Sequence, residues 1–346
     1  MKFVRGYVKR LYQIVAGVLL FAILVLGTTG CAAASFQKFE ATHSLMDTFI
    51  TVTVYASDEE KAEAAISAAF EKMEEIEQIA SIFDEESAAF QLNRDGRLDD
   101  PPADLMELMK LSLDYSRLTD GYFDVTIQPL LELWEAGLWQ EPEAVQQRRV
   151  SEALELTGPD KIAIGDSEIH FTEPGVEITL GGIAKGYAVD KALAVIKQMG
   201  IKHALINAGG DMAALGAKPD GEPWLVALVN PDDTTQSLAN FNIMGEAIAT
   251  SGNYERYFNP DKSAHHILNP KTGYSAQECI SATVIAPTAT QADALATSVF
   301  VMGPEAGVKL VESLSNVECL IVSSDRSTIY VSSGISTYLA ESETGE

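Results

Sequence analysis

Thr179-Leu-Gly-Gly-Ile-Ala-Lys-Gly-Tyr-Ala-Val-Asp190 is the stretch whose reading decides the fold. The preceding Val176-Glu-Ile-Thr-Leu180 alternates as a strand, and residues 183 to about 199 set Ala184, Ala188, Ala192 and Ile196 on one helical stripe. Gly181 and Gly182 fall where strand becomes helix. Lacking Cβ atoms, they allow a sharp bend and the close approach of an anion, and the helix start would offer free N–H groups with a positive dipole end. A phosphate site and a plain tight turn both remain open, because Gly-Gly-x-x-x-Gly is not the dinucleotide spacing Gly-x-Gly-x-x-Gly.

Outward from this stretch, Ala32 to about Glu40 is small and polar without a period and reads as a tether. Ile50 to Tyr55 alternates as a strand, and Ser57-Asp-Glu-Glu60 reads as a capping box before a helix carrying Ala62, Ile66, Ala69, Phe70, Met73 and Ile76. Residues 81–96 read as irregular, ending in the turn signal Asn93-Arg-Asp-Gly96, and 103–118 as a second helix. Short helical patterns follow at 129–143 and 143–156. The texture then turns to short strands at 161–164, 168–171, 202–207, 213–216, 224–229, 247–250, 280–286, 317–322 and 328–331, with helices at 291–302 and 304–315. Many short strands with a minority of helices predict an α+β fold, a mainly antiparallel sheet flanked by helices. Nothing divides residues 41–340, so a single catalytic domain is expected there.

The chain has 346 residues, 47% of them hydrophobic, enough for a large core. Lys2, Arg5, Lys9 and Arg10 precede an uncharged run from Ile14 to Leu26 and then small residues. This is the pattern of a secretory signal over residues 1–30, and Thr28-Thr-Gly-Cys31 resembles a bacterial lipoprotein processing site with Cys31 as the lipidated residue. An uncleaved N-terminal anchor is the alternative. Either places the domain on the extracytoplasmic face of a bacterial membrane. Removing residues 1–30 takes four basic residues and no acidic one, moving the net charge from −26 to −30. Such a surface repels polyanions, which excludes nucleic acid as a partner, and a bound nucleotide would need a local positive site or a divalent cation. Cys279 and Cys319 are too few for a disulfide framework or a zinc site and are expected to be buried apolar side chains.

Several motifs carry chemistry-bearing residues. Asp293 and Thr297 lie one helical turn apart, a carboxylate and a hydroxyl suited to a hard cation such as Mg²⁺ or to a structural hydrogen bond. Asn207-Ala-Gly-Gly-Asp211 either cradles a ligand or turns the chain. Asp120-Gly-Tyr-Phe-Asp-Val-Thr126 holds Phe123, which can stack on a planar ring or fill the core. His265 and His266 are neighbours, and in an extended segment they point to opposite faces, so at most one serves a given site. Ala249-Thr-Ser-Gly-Asn253 lacks the serine hydrolase elbow.

Taken in order, Met46-Asp-Thr48, Ser81-Ile-Phe83, Asp120 to Thr126, Leu180 to Asp190, Asn207 to Asp211, Ala249 to Asn253, His266-Ile-Leu-Asn-Pro-Lys-Thr-Gly273 and Ala292-Asp-Ala-Leu-Ala-Thr297 closely resemble the FAD:protein FMN transferase (ApbE) family over about residues 41–325. The resemblance implies a Mg²⁺-dependent transferase that moves the FMN half of FAD onto a Ser or Thr hydroxyl of an extracytoplasmic redox protein through a phosphoester, releasing AMP. It implies Asp293, Thr297 and the Gly182 carbonyl as metal ligands. It implies Met46, Phe83, Tyr122, Phe123, Asp124, Thr179, Lys185 and Ile267 as FAD-lining residues, and His266 near the phosphates, assisting deprotonation of the acceptor hydroxyl. Thr179 stands where the family carries an acidic residue, so that contact loses its charge. FAD hydrolysis to FMN and AMP, or a flavin-binding lipoprotein without catalysis, are the alternatives.

Overall fold

A hairpin, β1 (Gln37–Leu45) and β2 (Thr48–Ala56), opens onto helix α1 (Glu59–Ala80), short helix α2 (Ala88–Asp95), β3 (Arg97–Asp99) and α3 (Ala103–Leu118). Helices α4 (Gln128–Glu135) and α5 (Glu143–Leu154) lead to β4 (Ile162–Ile164), β5 (Glu168–Phe171) and α6 (Ala184–Gln198). Five strands follow: β6 (His203–Ala208), β7 (Asp211–Leu215), β8 (Trp224–Asn230), β9 (Asp233–Ile243) and β10 (Ala247–Gly252). The order ends β11 (Cys279–Ala286), α7 (Ala289–Met302), α8 (Pro304–Glu312), β12 (Glu318–Ser323) and β13 (Ile329–Val331). This computed structural model describes residues 35–340 with the exception of residue 232. The expected signal segment 1–30 and the expected lipidated Cys31 lie outside the described residues.

The elements form one eight-stranded sheet in the order β1-β2-β6-β7-β10-β11-β12-β13, a three-stranded sheet β3-β5-β4, and the hairpin β8-β9. Within the large sheet the registered pairings from β2 to β13 are all antiparallel, as expected. Helices α1, α6 and α7 cover one face, and β8-β9 covers the other. Strand β11 therefore buries every residue, sending Ala282, Val284 and Ala286 to the helices and Ile285 to the hairpin. The stripe Ala184, Ala188, Ala192 and Ile196 is buried as expected, and small residues there let α6 pack closely between α1 and α7.

Several local expectations are corrected. Residues 176–180 are extended but join no sheet. Instead the Asn93 side chain takes the place of a neighbouring strand: its Nδ2 donates to Ile178 O and its Oδ1 accepts from Ile178 N, both at 2.8 Å. Asn93 belongs to α2, in a stretch read as irregular. This helix is capped by Ser87, which accepts from Phe90 N, and ends on left-handed Gly96 (φ 68°), so the turn signal was a helix stop. The cap of α1 is Asp58 rather than Ser57, since its carboxylate accepts from Lys61 N. Strand β1 starts at Gln37, inside the stretch read as tether, and β9 carried no sequence expectation. Strand β1 is mostly exposed, and β9 buries only Phe241 and Ile243 fully among its described residues, so neither shows the apolar alternation that would have marked it in the sequence.

Candidate active site

The hairpin turns at one end of the large sheet build the first wall. Met46 and Asp47 are the two turn residues between β1 and β2, and both are left-handed, with φ of 53° and 58°. That is what a two-residue turn compatible with strand twist demands. Glu77 of α1 accepts the Met46 N–H at 2.6 Å and fixes this unusual backbone. The neighbouring turn between β6 and β7 is Gly209-Gly210, with φ of 62° and 103°. A Cβ on Gly209 would fall 2.3 Å from Thr48 Oγ1, so the glycine lets the two hairpin ends lie side by side. The motif Asn207 to Asp211 thus turns the chain, and it also delivers Asp211, which is 2% exposed, to the Nζ of Lys185.

Between this wall and the end of α1 lies a cleft of about 180 Å³ whose lining includes Met46, Glu77, Phe83, Thr179, Gly181 and Lys185. Four residues expected to contact FAD converge here: Met46, Phe83, Thr179 and Lys185. Phe83 is 72% exposed at the rim, an aromatic ring with no packing reason to face solvent. The other four are placed differently. Phe123 is buried, and its ring would lie 3.3 Å from a Cβ on Gly182. Asp124 is buried and accepts from the N–H and Oγ1 of Thr126, and burial holds its carboxyl above the usual range against those bonds. Ile267 is a core residue, and the Tyr122 ring lies under Lys271 Nζ at 4.0 Å.

The three expected metal ligands come together behind the cleft. A Cβ on Gly182 would lie 3.3 Å from Thr297 Oγ1, so glycine lets the main chain approach α7 closely. Neither Gly181 nor Gly182 has a positive φ. Space, not left-handedness, is what these glycines provide. Thr297 Oγ1 also pairs with Ser251 Oγ at 3.2 Å. Asp293 is 4% exposed and accepts the Gly186 N–H through Oδ2 at 3.0 Å; Oδ1 accepts no hydrogen bond within the described residues. The start of α6, read as a place for phosphate, therefore already holds a carboxylate at its third N–H.

The electrostatics favour a cation at this point. Burial, then the charge of Asp211, pushes the Asp293 carboxyl up to about 7. Burial opposes the charge on Lys185, but Asp211 and Asp293 outweigh it and raise its pKa. With Lys185 committed to Asp211, Asp293 has no cation within hydrogen-bonding distance among the described residues. Among the described residues no three His, Cys, Asp or Glu side chains cluster as ligands. A cation here would be held by one carboxylate, a hydroxyl and main-chain oxygen. That donor set fits Mg²⁺, which takes hard oxygens and keeps places for water and phosphate.

His265 and His266 divide as expected. His265 is 1% exposed, with Nε2 at 2.8 Å from Ala276 O and its ring edge-on to Phe300. His266 points Nδ1 at the Arg256 carbonyl, 3.1 Å away, which makes Nδ1 the protonated nitrogen and leaves Nε2 an acceptor. Burial first, then the positive charges of Arg256 and Lys185 among others, push its pKa down to about 4, so the ring is neutral near pH 7. The turn that follows is anchored by Trp134 Nε1, which donates to Gly273 O at 2.8 Å.

Sequence reasoning missed Glu77, read as solvated helix surface, and gave Asp211 and Asp190 no role of their own. No periodicity marks them. Only the positions of the turns and helix ends they bind reveal their use.

Comparison with known proteins places this arrangement. A family model described as the ApbE family matches residues 46–321. An FAD:protein FMN transferase of Klebsiella pneumoniae is 31% identical over 287 residues, covering 80% of this chain and 82% of the relative. Another, of Escherichia coli K12, is 32% identical over 245 residues, covering 68% and 70%. Among solved structures, the ApbE protein of Thermotoga maritima aligns with a TM-score of 0.79 at 32% identity over 88% of this chain and 100% of that one. The flavin transferase ApbE from Vibrio cholerae aligns with a TM-score of 0.75 at 24% identity, again over 88% and 100%.

Proposed function

The chain belongs to the ApbE family, and from that premise we propose that it is an FAD:protein FMN transferase acting outside the cytoplasm. The observation that carries this is the convergence of Gly182, Asp293 and Thr297 directly behind a cleft lined by Met46, Phe83, Thr179 and Lys185. A flavin carrier without catalysis has no need of a carboxylate and a hydroxyl one helical turn apart beside the Gly182 main chain.

In this proposal FAD lies in the cleft with Phe83 and Met46 against a ring and Thr179 offering a neutral hydroxyl to a ring edge. Lys185 approaches the pyrophosphate from the first turn of α6, and Asp211 fixes its ammonium. The acceptor Ser or Thr oxygen attacks the FMN phosphorus, the bond to the AMP phosphate breaks, and the acceptor proton passes to Nε2 of neutral His266. Asp293, Thr297 and the Gly182 carbonyl would hold Mg²⁺, which would supply charge neutralisation at the attacked phosphorus. The product is a phosphoester-linked flavoprotein plus AMP. Acceptors are extracytoplasmic redox proteins, and Cys31 supplies lipid anchorage; the basic, apolar and small-residue order of the first thirty residues supports that location.

Incubating the protein with FAD, Mg²⁺ and a candidate acceptor should yield an FMN mass increment on the acceptor and an equal amount of AMP, read by intact-mass spectrometry and nucleotide chromatography. Asp293→Ala should lower the rate on the order of a hundredfold or more. AMP formation at the full rate without acceptor would instead indicate an FAD pyrophosphatase, and absence of both products would overturn the catalytic reading.

A further inference from the structure

The helices that carry the metal ligands and Lys185 hold each other by their ends. Asp293 of α7 accepts the Gly186 N–H in the first turn of α6 at 3.0 Å. Asp190 of α6 does the same for α7: its Oδ1 accepts from Ala289 N and its Oδ2 from Thr290 N, both at 2.8 Å, and Oδ2 also accepts from Thr290 Oγ1. Each helix thus places a carboxylate from within its first two turns on the otherwise unpaired N–H groups that begin its partner. The ends touch: a Cβ on Gly186 would fall 2.2 Å from Ala289 O, which no side chain can occupy. Thr288 caps α7 locally through Gln291 N, so Asp190 is not needed merely to start that helix.

We infer that Asp190 is a positioning residue whose bond to the start of α7, paired with the bond from Asp293 to Gly186, sets the height of α7 against α6. In doing so it holds Thr297 Oγ1 beside the Gly182 main chain and Asp293 against Gly186 one turn away. The consequence for metal binding rests on the proposed function; the clamp itself does not. Asp293 spends Oδ2 on Gly186, which restrains the orientation of its carboxylate. Losing Asp190 releases the N-terminal turn of α7, and the ligand pair one turn further on shifts with it.

The Asp190→Asn variant replaces one accepting oxygen by an NH₂ that confronts donors, and Thr290→Val removes only the hydroxyl donor. Hydrogen exchange of the metal-free protein should show amides of residues 182–188 exchanging at least tenfold faster in Asp190→Asn, and more modestly in Thr290→Val, with β11 unchanged. Titrating Mg²⁺ against the melting midpoint without FAD should show affinity weakened about 10- to 100-fold, as for other outer partners of metal ligands. At saturating Mg²⁺ the kcat should recover, and the unchanged exchange of β11 is what separates this local loosening from general destabilisation. Thr290→Ser should behave as wild type. If Asp190→Asn does not fold, the Thr290→Val and Thr290→Ser pair decides. Unchanged exchange at 182–188 in a folded variant overturns the clamp. A wild-type protein that takes no Mg²⁺ overturns the metal reading instead, and the exchange comparison still decides the clamp.

Discussion

In the proposed function Asp293 serves folding and chemistry at once. In the metal-free protein its carboxyl is pushed up to about 7, by burial first and then by Asp211, against an ordinary value of 3.8. A group whose folded pKa is raised contributes stability that is fully present below the unfolded pKa and lost as pH rises through the folded one. Metal-free protein should therefore lose melting temperature as pH goes from about 4 to above 7, on account of this residue. In the proposed function protons and Mg²⁺ would compete for this carboxylate, so apparent Mg²⁺ affinity should rise with pH up to about 7 and level off above it. Both trends are read by calorimetric melts with and without Mg²⁺. Asp293→Asn should flatten the metal-free pH slope, and an unchanged slope in that variant would assign it to another group. Helical spacing put Asp293 and Thr297 on one face but left a structural hydrogen bond open, and only the family resemblance made them ligands; Glu77 and Asp190 had no such signal, because a side chain that binds a distant main-chain N–H leaves no pattern in its own helix.

At the scale of elements, the approach to the Gly-Gly turn is held by a side chain where a strand was expected. Ile178 is fully buried, yet its N–H and C=O both pair with the amide of Asn93. Alternation in 176–180 was real, since Val176, Ile178 and Leu180 all face the core, but alternation reports burial and not pairing. The partner came from α2, a helix too short and polar to announce itself. Asn93→Ala leaves a buried donor and acceptor unmet, and each unmet group costs about 1–3 kcal/mol. The variant should thus lose about 2 kcal/mol or more of stability in a urea titration. It should also loosen Thr179 and Gly181, raising the KM for FAD more than it lowers kcat. A loss under about 0.5 kcal/mol would mean that water replaces the amide.

At the scale of the whole molecule, the antiparallel sheet gathers motifs far apart in sequence. The β1–β2 and β6–β7 turns meet because β2 pairs with β6, and α7 reaches Gly182 because it packs on β10 and β11 beside α6. Strand order was not legible, since no short-range signal says that β6 inserts beside β2. The order of family motifs, not their periodicity, announced that the pieces belong to one site. The same molecule carries a net charge of −26, and −30 without residues 1–30, against which FAD brings an anionic pyrophosphate. Lys185, its charge paired to Asp211, is the cation at the cleft, so the long-range field is repulsive and only the last few ångströms are attractive. Screening acts on the long-range part, because the Debye length falls from about 30 Å at 0.01 M salt to about 8 Å at 0.15 M. With Mg²⁺ held saturating, the association rate of FAD should rise several-fold over that salt range while its dissociation rate changes little. Stopped-flow quenching of flavin fluorescence measures both. A rate that falls with salt would mean that the cleft's own positive field extends past its mouth, and that the acidic surface does not govern the encounter.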